Sequence, residues 1–177
     1  LAEAGYVEIG MDHFALPTDD LYHAQQEERI HRNFMGYTAS KTQVMLGLGV
    51  SAISDSWYSF AQNVKSINEY YHLLENEILP VFRGHILTEE DLKIRQHILN
   101  LMCHFKTSWE TPALYFDELP EVLIKLKELE ADGLLVFEHK GLRVTEKGKP
   151  FVRNICLPFD LRLQRNKPET KLFSMTI

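Results

Sequence analysis

Apolar positions recur at helical spacing through the second half of the chain and lose that spacing in its first sixty residues. Ile67, Tyr70, Tyr71, Leu74 and Ile78 form one face of a helix that opens on a Ser66–Glu69 capping box and stops before Pro80. Thr88 with Asp91 opens a second helix, in which Ile94, Ile98, Leu101, Met102 and Phe105 share a side. A third follows Asp117, with Leu119, Val122, Leu123, Leu126 and Leu129 as its stripe and Gly133 at its end. LLVFEHKGLRVT, residues 134–145, reads as a hairpin turning at His139, Lys140 and Gly141. Thr145 then caps a last helix carrying Phe151, Val152, Ile155 and Cys156. Helix, helix, hairpin and helix predict a winged-helix-like unit.

The first sixty residues read differently. GYVEIGMDHFAL, residues 5–16, predicts one strand with polar groups at its exit, followed by a polar helix that Thr18 caps and that runs to Arg29. MLGLGVSAIS, residues 45–54, is a continuous apolar run, as in a strand buried on both faces. Between them HRNFMGYT, residues 31–38, fits neither periodicity and reads as a loop. Its aromatics are either packed against the core or shaped to hold a ligand. Strand, helix, loop and strand are compatible with part of a parallel α/β sheet, yet two strands cannot cover their own edges, so a preceding part is expected.

A net charge of −6 and a pI near 5.7 leave no overall footprint for nucleic acid or an anionic membrane. No apolar run approaches the roughly 20 residues that span a bilayer, and nothing near Leu1 resembles a signal peptide, so a cytoplasmic monomer is expected. Cys103 and Cys156 sit in apolar helical patterns as buried thiols, and the histidines show no metal-ligand spacing, so no metal site is expected from this chain.

Four groups of residues are candidates for binding. Asp12 and His13 stand where a strand ends, and Gly47 and Gly49 allow a ligand close to backbone or mark a bulge. Arg29, His31 and Arg32 are either anion ligands or a helix end complementing its dipole. Arg153, Asn154, Arg162 and Arg165 could meet an anionic partner or form a solvated face, with Glu146, Asp160 and Glu169 diluting the field.

Taken together, GYVEIGMDHFAL with DDL, HRNFMGYT, GLGVSAIS, YSFAQN, RGHILTEED, DGL, VTEKG, RNIC with FD, and the closing FSMTI resemble the oxygen-independent coproporphyrinogen III oxidases, in collinear order over essentially the whole chain. The resemblance implies a radical S-adenosylmethionine enzyme with a [4Fe-4S] cluster that converts two propionates of coproporphyrinogen III to vinyl groups; it names no electron acceptor. The family's CxxxCxxC cluster motif is absent, so the chain is expected to be the C-terminal portion and inactive alone. The implied fold is α/β plus mostly α: the end of a radical-SAM (β/α) barrel at 1–60, a connecting helix at 61–85, and a winged-helix-like domain at 86–177. By the same resemblance Phe34, Met35 and Ile53 face S-adenosylmethionine, with Met35 standing where the family usually carries Gln, while Arg29 and Arg32 are candidates for the substrate's propionates. The rival reading, a winged-helix-like module for nucleic acid or protein, meets an acidic helix in DELPEVLIKLKELEAD, which would repel phosphate.

Overall fold

The computed structural model describes residues 1–165; the closing FSMTI and Glu169 lie outside the described residues. Its hub is helix α3 (Glu89–His104), and the start of that helix is set by chemistry in four residues. Thr88 Oγ1 accepts the Asp91 N–H at 3.2 Å and Asp91 Oδ2 accepts the Thr88 N–H at 2.9 Å, closing the capping box. At the other end Phe105 takes a left-handed conformation, φ 56°, and returns its N–H to the Leu101 carbonyl.

The buried side of α3 packs against α4 (Leu119–Ala131), the hairpin β9 (Leu135–Glu138) and β10 (Gly141–Val144), and α5 (Val152–Cys156). Leu101, Leu119, Leu126, Leu135, Leu142, Ile155 and Phe159 are fully buried there. A short strand, β8 (Lys106–Ser108), adds to the hairpin in the order β8-β10-β9. KTS carries no apolar alternation, so periodicity could not announce it. The last helix, α6 (Leu161–Arg165), follows a single turn at 157–159. The helix expected after Thr145 begins later, at Val152, because Pro150 sits in a 3-10 turn at 149–151.

His97 is the polar centre of this core. Its Nδ1 bonds Thr107 Oγ1 and its Nε2 bonds the Leu114 carbonyl, both at 2.8 Å, and its ring stacks on Phe159 at 5.3 Å. Burial pushes its pKa below the ordinary 6.5 and so favours the neutral ring.

The first half departs from the parallel α/β expectation. Every strand pairing among the described residues is antiparallel, and no closed barrel is formed among them. Residues 5–16 are not one strand but a hairpin, β1 (Val7–Gly10) with β2 (His13–Ala15), because Met11 and Asp12 both adopt positive φ, 41° and 66°, and turn the chain. Helix α1 (Asp20–Gln26) is capped by Asp19, whose carboxylate accepts the Leu21 N–H, rather than by Thr18. Residues 31–38 are a second hairpin, β3 (His31–Asn33) with β4 (Gly36–Thr38). Ile9, Ala15, Ala24, Ile30 and Cys103 form the small core beneath these pieces.

The doubly buried strand expected over 45–54 is not formed. Leu46 and Leu48 are 75% and 88% exposed, and regular pairing begins only at β5 (Ile53–Asp55), apart from one bridge from Met45 to Asp55. A third sheet follows, β5-β6-β7, completed by β6 (Ser59–Asn63) and β7 (Val81–Ile86) around α2 (Ile67–Glu75). No helix among the described residues is long and apolar enough to cross a membrane.

Two outcomes follow from this core. Leu126→Ala opens a cavity at a fully buried site and lowers the unfolding free energy by about 2–5 kcal/mol, read from denaturant titrations. Because His97 is depressed below its unfolded value of 6.5, the unfolded chain binds the proton first, and stability is lost as pH falls below that value. His97→Gln removes this contribution, so the melting temperature of the variant drops less than that of the unaltered protein between about pH 7.5 and 5.5.

Candidate functional site

The β3-β4 hairpin pairs Arg32 with Tyr37 and Asn33 with Gly36, which leaves Phe34 and Met35 as its two-residue tip. Two devices fix that tip. Asn33 Oδ1 accepts the Met35 N–H at 2.8 Å, and Gly36, at φ 124°, lets the chain leave the turn under the His13 ring. A Cβ at Gly36 would stand 2.7 Å from His13 Nε2, so the site admits no side chain. His13 itself bonds the Met11 carbonyl and meets Tyr37 edge to face, and Asp12 forms the β1-β2 turn. His13 thus packs against the β3-β4 hairpin, while Asp12 stands in the turn of β1-β2.

Tyr37 ties the hairpin to α3. Its hydroxyl donates to the Met102 carbonyl at 2.8 Å, and burial pushes its pKa up to about 12, which keeps the donor protonated. Arg32 lies over the same ring, 4.8 Å from its centroid.

From the opposite side, the β5-β6 hairpin presents Phe60, whose ring meets Phe34 edge to face at 5.1 Å. Behind Phe60 stands Arg95 of α3, its guanidinium 5.0 Å from the Phe60 centroid and 4.4 Å from that of Trp57. Arg95 donates to Asp55 Oδ2 at 2.6 Å and to the Trp57 carbonyl at 2.9 Å, while Asp55 Oδ1 accepts the Trp57 N–H. Sequence reasoning missed this cluster. Its one signal was an arginine set beside Ile94 and before Ile98, on the border of an apolar stripe.

Between these elements lies a cavity of about 600 Å³, and it sorts the expected site residues. Arg32 and Phe34 line it, together with Asp55, Phe60, Arg95 and Arg153. Met35 and Ile53 are outside its lining: Met35 is 84% exposed, and Ile53 on β5 pairs with Gln62 on β6 with its backbone against Gly47. That approach is what Gly47 permits, since a Cβ there would fall 2.7 Å from the Ile53 carbonyl. Arg29 is also elsewhere, paired with Glu27 and donating to the Ala39 carbonyl at 2.9 Å.

Of the remaining cations, Arg162 makes a bidentate pair with Asp91, through Nε at 2.6 Å and Nη2 at 2.7 Å. That guanidinium is the main reason the Asp91 carboxyl is held far below the usual range. Arg165 pairs with Glu90 and Glu118.

The arrangement offers paired cations and carboxylates beside aromatic rings, and no activated thiol among the described residues. Burial raises Cys103 and Cys156 to about 11 and about 12, so both remain thiols, and no group of three metal-ligating side chains occurs among the described residues. The donor set therefore does not fit an iron–sulfur cluster.

No family model matches the chain. Curated proteins do: it is 42% identical to the oxygen-independent coproporphyrinogen III oxidase of Synechocystis and 40% identical to that of Escherichia coli, in each case over 100% of this chain and 40% of the relative. The corresponding protein of Helicobacter pylori is 36% identical over the same extent of this chain. A solved structure described as coproporphyrinogen III oxidase (HemN) from Escherichia coli, a radical SAM enzyme, superposes with a TM-score of 0.84 at 41% identity, covering 92% of this chain and 38% of that one. The chain thus spans about 40% of the length of the curated relatives it matches. In sequence over its full extent and in fold over nearly all of it, this chain belongs to the family of oxygen-independent coproporphyrinogen III oxidases.

Proposed function

We propose that the chain is the C-terminal portion of an oxygen-independent coproporphyrinogen III oxidase, in which it forms one wall of the S-adenosylmethionine and substrate pocket. The reaction is the oxidative decarboxylation of two propionates of coproporphyrinogen III to vinyl groups, giving protoporphyrinogen IX. When bound, S-adenosylmethionine together with an iron–sulfur cluster, for which the described residues of this chain offer no ligand set, would supply the radical chemistry.

The observation that carries this reading is the β3-β4 tip. An aromatic and a thioether, Phe34 and Met35, are 52% and 84% exposed although the turn that presents them is held by an Asx hydrogen bond, an obligatory glycine and a tether to α3. Large apolar groups presented to solvent on a fixed scaffold are what an adenosyl ligand would cover. Ile53 on β5, half-buried with its backbone against Gly47, is the third residue assigned to this ligand. A second support is the apolar side of the β5-β6-β7 region, where Leu48, Leu79, Phe82 and Ile86 are all exposed. In the proposed protein the remainder of the barrel packs on them.

The division at 1–60, 61–85 and 86–177 belongs to the same proposal, as does the winged-helix-like character of the last part, for which the order α3, β8, α4, β9, β10 is the support. That part acts here as a cover that keeps water from a radical intermediate. A nucleic-acid role finds no support in α4, whose exposed side carries Glu121, Glu128 and Glu130.

The expected results are specific. In the protein at its natural length, Phe34→Ala and Ile53→Ala each weaken S-adenosylmethionine binding about tenfold, the loss of one well-buried apolar contact, and slow vinyl formation. Met35→Gln adds an amide that donates and accepts and tightens binding. Equilibrium dialysis with labelled cofactor measures all three; unaltered affinity in both alanine variants defeats the assignment. The 177-residue chain by itself yields no vinyl product.

A further inference from the structure

The cavity beside the β3-β4 turn has a charge left over. Of the four arginines that line it, Arg95 is committed to Asp55 and Arg162 to Asp91. The third acid, Asp160, accepts the Leu163 N–H at 2.9 Å through one oxygen. Arg32 and Arg153 remain. Nη1 of Arg32 is buried and has no hydrogen-bond partner among the described residues. Arg153, exposed on α5, takes no part in the ion pairs found among them. It stands one helical turn before Cys156, which lines the same cavity and feels the field of Arg32.

A buried guanidinium N–H without an acceptor is costly, because water has been removed from it and nothing has replaced the lost hydrogen bond. Native interiors rarely tolerate this without a reason. The floor next to it is apolar, with Phe34, Phe60, Ile98, Leu99 and Leu157. One buried unpartnered guanidinium N–H, with a second, solvent-exposed arginine and an apolar lining beside it, matches one kind of ligand: an amphipathic molecule with a carboxylate at its edge.

We infer that this cavity is a carboxylate subsite, in which Arg32 and Arg153 hold one acidic arm of an amphipathic polycarboxylate whose apolar body lies toward Phe34 and Phe60. The inference rests on the proposed function and deepens it: the arm is a propionate of the tetracarboxylate substrate. It also separates the two arginines of the HRNFMGYT region and its approach. Arg32 binds the ligand; Arg29, engaged with Glu27 and the Ala39 carbonyl, does not.

The test uses the protein at its natural length and two probes, coproporphyrin III and its tetramethyl ester, titrated by visible absorbance. The free acid binds at least about tenfold more tightly than the ester, and the difference shrinks as salt rises. Arg32→Gln and Arg153→Gln each reduce that preference by about tenfold, Arg32→Lys retains part of it, and Arg29→Gln leaves it unchanged. Arg153 lies on the surface, so its variant keeps the test open should Arg32→Gln fail to fold. Equal binding of acid and ester, or an unchanged preference in Arg153→Gln and in a folded Arg32→Gln, overturns the subsite. Vinyl formation is measured on the same preparations. An acid preference that depends on Arg32 without vinyl formation would uphold the subsite and defeat the proposed reaction; vinyl formation with an unaffected preference would do the reverse.

Discussion

The pair between Arg95 and Asp55 is the constraint on which the geometry of the site depends. It joins α3 to a strand forty residues earlier, with side chains only 13% and 9% exposed. A pair so far from water stabilises little by attraction alone, since the desolvation of both charges opposes it. Its effect is positional. Asp55 is held at both oxygens, Arg95 spends a second donor on the Trp57 carbonyl, and the planar guanidinium is thereby fixed against Phe60. Phe60 in turn receives the edge of Phe34. One ion pair thus reaches the tip of the β3-β4 hairpin through two aromatic contacts.

Helix α3 carries the other half of that control. Met102 accepts the Tyr37 hydroxyl, Asp91 takes Arg162, and the apolar stripe below holds α4 and the β9-β10 hairpin. Ile94 and Met102 of this helix belong to the buried core and also line the cavity, so the stable part of the molecule sets the cavity's shape. At the tip Met35 is exposed and Phe34 half-exposed against Phe60, while Nη1 of Arg32 has no partner among the described residues. Such groups cost stability in the free chain and are retained where a ligand satisfies them.

How much of this was legible depended on whether local chemistry decided the structure. Helix α3 could be placed because Thr88 and Asp91 cap it regardless of what packs nearby, and α4 because its stripe is unbroken to Gly133. Both cysteines were readable as buried thiols from their apolar neighbours. Residues 5–16 read as one strand because the turn at Met11 and Asp12 has none of the usual Asn-Gly signals and does not interrupt the pattern. MLGLGV differs for another reason: apolar composition predicts burial, whereas Leu46 and Leu48 are exposed among the described residues. The hairpin at 31–38 reads as a loop in the sequence, since three-residue strands are too short to show a period. Phe34 and Arg32 were nameable from the family resemblance, whereas Arg95, Asp55 and Phe60 come together only through pairing across forty residues, which no local pattern records.

The most direct test is a double-mutant cycle on Asp55 and Arg95, using Asp55→Asn, Arg95→Met and the double variant, with unfolding free energies from denaturant titration. If the pair is the link that fixes the site, the coupling energy exceeds about 1.5 kcal/mol, within the range found for close residues sharing one network. A coupling below about 0.5 kcal/mol, the level at which sites behave independently, would contradict it.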